Sequence, residues 1–143
     1  GYPNLTDGDW LWGNTEQDLY TSIYSGRQAA MPVLAPALGG DEGVTNMAKY
    51  VKSLSTGEAD AAAQAMQPMF QAICGVCHGA DGTGNPALGA PNLADGTWLY
   101  GGSIETIRET ILNGRNGVMP AHGDLLGENR SKILAAYVAS LSQ

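Results

Sequence analysis

Cys74-Gly75-Val76-Cys77-His78 is the stretch on which the fold turns. Two cysteines separated by two residues and followed at once by a histidine form the attachment site of a c-type haem. The two sulfurs can add to the two haem vinyl groups, and the adjacent histidine is then held under the iron as a fixed axial ligand. A redox dithiol and half of a zinc site are the other readings of such a pair. A dithiol has no need of the histidine. A zinc site needs further ligands, and the chain offers no other cysteine and only one other histidine, His122. Downstream, Gly114-Arg115-Asn116-Gly117-Val118-Met119-Pro120 supplies a thioether 41 residues after His78 (119 − 78), on a loop long enough to cross the haem and cap its other face. Histidine with methionine is the ligand set of electron-transfer haem, and it raises the iron potential.

The rest of the composition agrees with that reading. A chain of 143 residues allows one domain, or one and a part. Both cysteines are used by the haem, which leaves none for a disulfide. There is no run of 18 apolar residues that would cross a membrane, and no charged-then-apolar leader at the start. Covalent haem is attached outside the bacterial cytoplasm, so the expectation is a mature or excised piece of an exported protein. A net charge of −7 with no basic patch argues against nucleic acid. Residues 1–60 hold eight acids and three bases, and residues 61–143 hold six and four. That imbalance serves solubility, or it presents a negative face to a basic redox partner.

The chain also repeats itself. Pro3-Asn4-Leu5-Thr6-Asp7-Gly8-Asp9-Trp10-Leu11-Trp12-Gly13 returns, 88 residues later, as Pro91-Asn92-Leu93-Ala94-Asp95-Gly96-Thr97-Trp98-Leu99-Tyr100-Gly101. The offset holds through Gly26-Arg27 against Gly114-Arg115 and Met31-Pro32 against Met119-Pro120. After one added residue it resumes, with Tyr50-Val51-Lys52-Ser53-Leu54 against Tyr137-Val138-Ala139-Ser140-Leu141. Two copies of one domain are implied. Residues 61–143 form a complete copy, residues 55–60 a polar linker, and residues 1–54 a truncated copy without an attachment motif. Met31 is then a ligand-type methionine with no haem of its own. Trp10, Leu11, Trp12, Leu19, Ile23, Leu34, Val51 and Leu54 would line a haem that this stretch cannot bind alone. Exposed together they would make a large apolar patch. The half-copy is therefore expected to dock in cis, to pair with a second copy as a dimer or swap, or to be completed by a separate chain with Met31 ligating in trans. Truncation of a two-haem protein, with Met31 binding no iron in this chain alone, ranks first.

The local patterns are helical. Asp60 caps a helix over 61–66, and Pro68 suits the first turn of a second stretch running into the haem motif. Residues 79–93, rich in Gly, Pro and Asn, read as an extended loop. Ser103 caps a helix over 104–112, which carries Ile104, Ile107 and Ile111 on one face and stops at Gly114. A terminal helix spans 130–141. The first copy repeats these helices at 15–24 and 44–54. No strand pattern stands out. A domain of about 84 residues has a thin core by itself, and the porphyrin supplies the missing apolar mass. Leu93, Trp98, Leu99, Ile107, Ile111, Val118 and Tyr137 are expected around it.

Phe70-x3-Cys74-x2-Cys77-His78-Gly79-x-Asp81-Gly82-x-Gly84, Gly89-Ala90-Pro91-Asn92-Leu93, Trp98-Leu99-Tyr100-Gly101-Gly102 and Gly114-Arg115-x-Gly117-x-Met119-Pro120-Ala121 together resemble the class I cytochrome c fold, an all-α fold of small helices around covalent haem. More narrowly, they resemble the second haem domain of the dihaem cytochrome c subunit (subunit III) of cbb-type cytochrome c oxidases, the high-affinity terminal oxidases of bacterial respiration. Residues 1–54 look like the later half of that subunit's first haem domain. The family subunit has a membrane anchor and two haems; this chain has no anchor segment and one attachment motif.

The resemblance implies a role for each site residue. Cys74 and Cys77 are the thioether positions, and His78 and Met119 are the iron ligands. Pro91 matches the loop proline whose carbonyl accepts the second imidazole proton, a bond that fixes the ring and strengthens the ligand. Trp98 is a candidate donor to a haem propionate, or simply packing. Arg115 is a second candidate donor, or a solvated surface arginine. His122 reads as an exposed residue and only a minor alternative ligand. The implied protein carries one haem c and moves electrons without being an enzyme itself. Its partners would be a donor cytochrome and the oxidase catalytic subunit. It would work on the periplasmic side of the inner membrane, touching the membrane only through the parent complex. A free periplasmic cytochrome c or the electron-entry domain of a dehydrogenase are alternatives within the same chemistry. A haem peroxidase or sensor would require an open iron position, with Met119 displaced. Electrons are expected to enter between the loops at 82–90 and 118–122, where small residues let a second redox centre approach.

Overall fold

The computed structural model describes residues 2–142, so the domain limits drawn at residues 1 and 143 lie outside the described residues. Helix α1 (Glu16–Ser25) opens on a reciprocal cap, in which Thr15 accepts from the Asp18 amide while the Asp18 carboxylate accepts from Thr15. Strand β1 (Arg27–Met31) and a 3₁₀ turn (Ala35–Leu38) lead into α2 (Asp41–Thr56). The haem motif closes a broken helical run made of α3 (Ala61–Gln64), α4 (Gln67–Met69), a π-helical turn (Phe70–Cys74) and α5 (Gly75–His78). A long loop reaches α6 (Ile104–Asn113), which is capped by Ser103, and strand β2 (Arg115–Met119) follows. Helix α7 (Gly123–Leu141) completes the chain and is broken at Gly127, where φ is +71°. It begins seven residues before the expected helix because a first turn precedes that break.

The expected helices are present, and so is a strand pair that the local patterns do not announce. β1 and β2 are antiparallel, with Arg27 opposite Met119, Ala29 opposite Gly117 and Met31 opposite Arg115. Neither Arg-Gln-Ala-Ala-Met nor Arg-Asn-Gly-Val-Met alternates in hydropathy. Each becomes a strand only by finding its own repeat partner, 88 residues away, as its neighbour.

The ribbon lies on an approximate two-fold axis. The Ile23 carbonyl accepts from the His122 amide at 2.9 Å, and the equivalent Ile111 carbonyl accepts from Leu34 at 3.2 Å. Arg27 Nε donates to Ser22 at 2.9 Å, and Arg115 Nε to Thr110 at 3.0 Å. Gly26 and Gly114 both hold φ near +70°, and a Cβ on either would strike the backbone of the opposite copy, Met119 in one case and Met31 in the other.

Packing consequently runs across the boundary at 55–60. The larger core gathers Val44, Met47 and Tyr50 of α2 with Phe70 and Cys74 of the attachment run and Ile107 and Ile111 of α6. Arg108 of α6 ties down the start of α2 through Asp41 at 2.6 Å and through Thr45. The smaller core joins Leu19 and Ile23 of α1 to Ala135, with Val138 of α7 against them. Residues 1–54 therefore dock in cis, but divided: α1 pairs with α7, and α2 covers the haem-motif half. Val118 and Tyr137, expected on the haem wall, are 63% and 60% exposed because β2 leads them away from α6.

Candidate functional site

The attachment run is built to hold three side chains at one place. The Asp60 carboxylate accepts from the Ala63 amide at 2.8 Å and starts the run. Near its end the Gly75 amide donates to the Phe70 carbonyl, five residues back, and widens the turn. Cys74 is buried there beside Phe70, while Cys77 is exposed. Burial, and then the neighbouring Cys77 thiol, pushes the Cys74 thiol up to about 11, so an unreacted Cys74 stays protonated at neutral pH.

His78 is the buried end of the run, 8% exposed. Its Nδ1 lies 3.0 Å from the Pro91 carbonyl. A carbonyl can only accept, so Nδ1 carries the proton and donates it, and Nε2 keeps its lone pair for a metal. The loop that positions Pro91 is tied at several points. The Gly84 amide donates to the His78 carbonyl at 2.7 Å, Leu93 to Gly82 at 2.7 Å, and Asn85 and Ala90 exchange both of their bonds.

Cys74, Cys77, His78 and Pro91 are thus brought together. Trp98 joins them by packing against the same core, with Lys52 over its ring at 5.3 Å. Its Nε1 is a buried donor without a partner, as is that of its repeat equivalent Trp10. Arg115 is already engaged: it bonds Thr110, reaches Glu109 at 3.4 Å and stacks over Tyr100 at 4.6 Å. Met119 ends β2 on the α1 side and is 40% exposed, whereas Met31 packs on the core that contains Cys74. His122 is half-buried at the start of α7. The loops at 82–90 and 118–122 are bridged by the first copy, with Trp12 against Gly89, Arg27 stacked on Trp12 at 4.8 Å, and Arg27 paired to Met119. Sequence reasoning missed Tyr50 as a neighbour of the attachment run, where it lies against Phe70. The repeat carried that signal, since Tyr50 matches Tyr137, a residue expected near the haem.

The residues present fit haem c. Two free thiols flank a buried, carbonyl-oriented imidazole, and an orphaned indole donor adjoins the same core. Among the described residues no cluster of three or more His, Cys, Asp or Glu side chains could hold a bare metal ion, and no helix is long and apolar enough to cross a membrane.

Comparison with known proteins agrees with this chemistry. The family model described as cytochrome c oxidase, cbb3-type, subunit III matches residues 61–138. The chain is 42% identical over its whole length to the cbb3-type cytochrome c oxidase subunit CcoP of Rubrivivax gelatinosus, covering 47% of that protein. It is 44% identical to the subunit FixP of Azorhizobium caulinodans, with 99% of the chain and 51% of the relative aligned. To CcoP of Cereibacter sphaeroides it is 39% identical, covering 99% of the chain and 52% of the relative. The chain spans about half the length of the curated relatives it matches. With its attachment motif, its mostly helical class I cytochrome c fold and these matches, the chain belongs to the family of subunit III of cbb3-type cytochrome c oxidases, electron-carrying cytochromes c.

Proposed function

We propose that residues 1–143 form an electron-transfer module with one covalent haem c, ligated by His78 and a methionine, that passes electrons toward the catalytic subunit of a cbb3-type terminal oxidase on the periplasmic side of the inner membrane. The observation that carries this reading is the buried His78 ring, oriented by Pro91 and flanked by Cys74 and Cys77. Cys74 and Cys77 would hold the macrocycle through thioethers. His78 would offer Nε2 to the iron with its Nδ1–H on the Pro91 carbonyl, a bond that makes the imidazole a stronger donor. Trp98 Nε1, a buried donor without a partner, would be free to bond a propionate. The family motif assigns the second iron ligand to Met119. The haem supplies one-electron chemistry, and no substrate bond changes, so the module is a carrier and not an enzyme. The curated relatives are named as oxidase subunits, which supports partner subunits for this chain.

Intact mass and iron content of the purified chain test this directly. One haem per chain, with a low-spin spectrum and the weak far-red sulfur-to-iron band when oxidised, is the expected result. A reversible dithiol without haem, or an open high-spin iron, would overturn it.

A further inference from the structure

We propose that Trp12, in the incomplete copy, is a positioning residue for the complete one: it pins the segment from Gly89 to Pro91, whose carbonyl orients His78. This rests on the haem reading above and adds a residue that acts on the histidine side of the site without touching the iron.

The first observation is a contact between the copies. The six-membered ring of the Trp12 indole lies so close on Gly89 that a Cβ there would overlap it. Gly89 also holds φ at +63°, a left-handed turn that suits a residue without a side chain. Two residues on, the Pro91 carbonyl accepts the His78 Nδ1–H at 3.0 Å. Between them Ala90 exchanges both of its bonds with Asn85, and Gly84 fits against the backbone of Ala90, Pro91 and Asn92. Those ties belong to the segment's own copy. Trp12 brings one from the other.

The second observation is the space the segment borders. A cavity of about 290 Å³ is walled by Asp9, Trp10 and Asn14 of the first copy and by Asn85, Pro91 and Asn92 of the second. The Pro91 segment has room to shift into it, and water there can compete for the carbonyl. Removing the indole would widen that room. Trp12 is itself firmly placed. The Arg27 guanidinium stacks over its ring at 4.8 Å and is fixed in turn by Ser22 at 2.9 Å and by the Asp18 carbonyl at 3.2 Å. Gly13, with φ at +84°, packs against the Asp18 carboxylate that closes the α1 cap. The clamp is therefore anchored on α1. A looser Pro91 carbonyl would hold the Nδ1 proton less well, which makes the imidazole a weaker donor and favours reduced over oxidised iron.

Hydrogen exchange at His78 Nδ1 and the reduction potential of the haem-loaded chain test the proposal. In the reduced, diamagnetic protein Trp12→Ala should speed exchange of that ring proton about tenfold, which is about 1.4 kcal/mol of easier local opening. The same variant should raise the potential. Trp12→Phe, which keeps a ring against Gly89, should recover most of both. Arg27→Gln should move both in the same direction by less, and it carries the test if Trp12→Ala folds poorly. Tyr20→Ala removes a ring stack on the α7 side of α1 and should change neither. Unchanged exchange and potential in Trp12→Ala, or in Arg27→Gln where the first variant folds poorly, overturns the role of Trp12. So does an equal change in Tyr20→Ala. Neither result touches the haem reading, which falls instead if the parent chain takes up no haem.

Discussion

Trp98, packed against the larger core, holds a buried N–H with no acceptor. Such a donor costs roughly 1–3 kcal/mol when left unpaired. Trp98→Phe is therefore expected to leave the haem-free chain as stable or more so, and to destabilise the haem-loaded chain. Paired denaturant titrations of the two forms check it; an equal loss in both would mean that the indole serves packing alone. The two cysteines should separate in the same haem-free chain. An alkylating reagent should label exposed Cys77 within minutes and spare buried, protonated Cys74, as read by peptide mass.

At the same scale, Asp9 is the one acid pushed up from its ordinary value among those with a resolved shift. Burial is the main cause, followed by the charges of Asp95 and Asp7. Its folded state holds a proton more tightly than its unfolded state. Stability is therefore favoured at low pH and lost as pH rises through the folded value. Asp9→Asn should raise the melting temperature at neutral pH and make no difference once Asp9 is protonated in both states.

Among the elements, α2 and α7 carry equivalent residues in unequal surroundings. Tyr50 is buried against Phe70, and Tyr137 is exposed. Tyr50→Ala should cost about 3 kcal/mol or more by removing a buried aromatic and its ring pair. Tyr137→Ala should stay within about 0.5 kcal/mol. Urea unfolding of the haem-loaded chain distinguishes them. The sequence displayed the helices themselves plainly. Ser103 as a cap, Gly114 as a stop and the Ile104–Ile107–Ile111 stripe mark α6 to within a residue, and the repeat carries the same reading to α1. It hid the partners of those helices for a physical reason. Tyr50-Val51 and Tyr137-Val138 present the same apolar face, so no local pattern says which helix covers Phe70. The strands were invisible for the same reason, being made by a contact between distant copies. The contact between His78 and the Pro91 carbonyl was legible, because its geometry is local to one loop and one helix end.

For the whole molecule, fourteen acids against seven bases give a negative surface, and the first sixty residues hold eight of those acids. If that face steers a basic electron donor, the bimolecular rate should fall as ionic strength rises from about 10 mM to 150 mM, over which the screening length shrinks from about 30 Å to 8 Å. Stopped-flow reduction checks this, and a rate flat in salt removes the steering while leaving the haem chemistry untouched.

The crossed ribbon has a consequence for the order in which the chain folds. Export, like synthesis, delivers the N-terminal side first, so α2 emerges before the attachment run. Only a four-residue gap separates α2 from α3, so the loop closed by their docking is short. The equivalent face of α7 is made last, some 60 residues after the seat it could have filled. By then that seat is taken, and the remaining apolar surface of its size is on α1. Order of manufacture and closeness along the chain thus favour the same pairing, and a circularly permuted chain that begins at residue 61 would reverse the order in which the two helices compete.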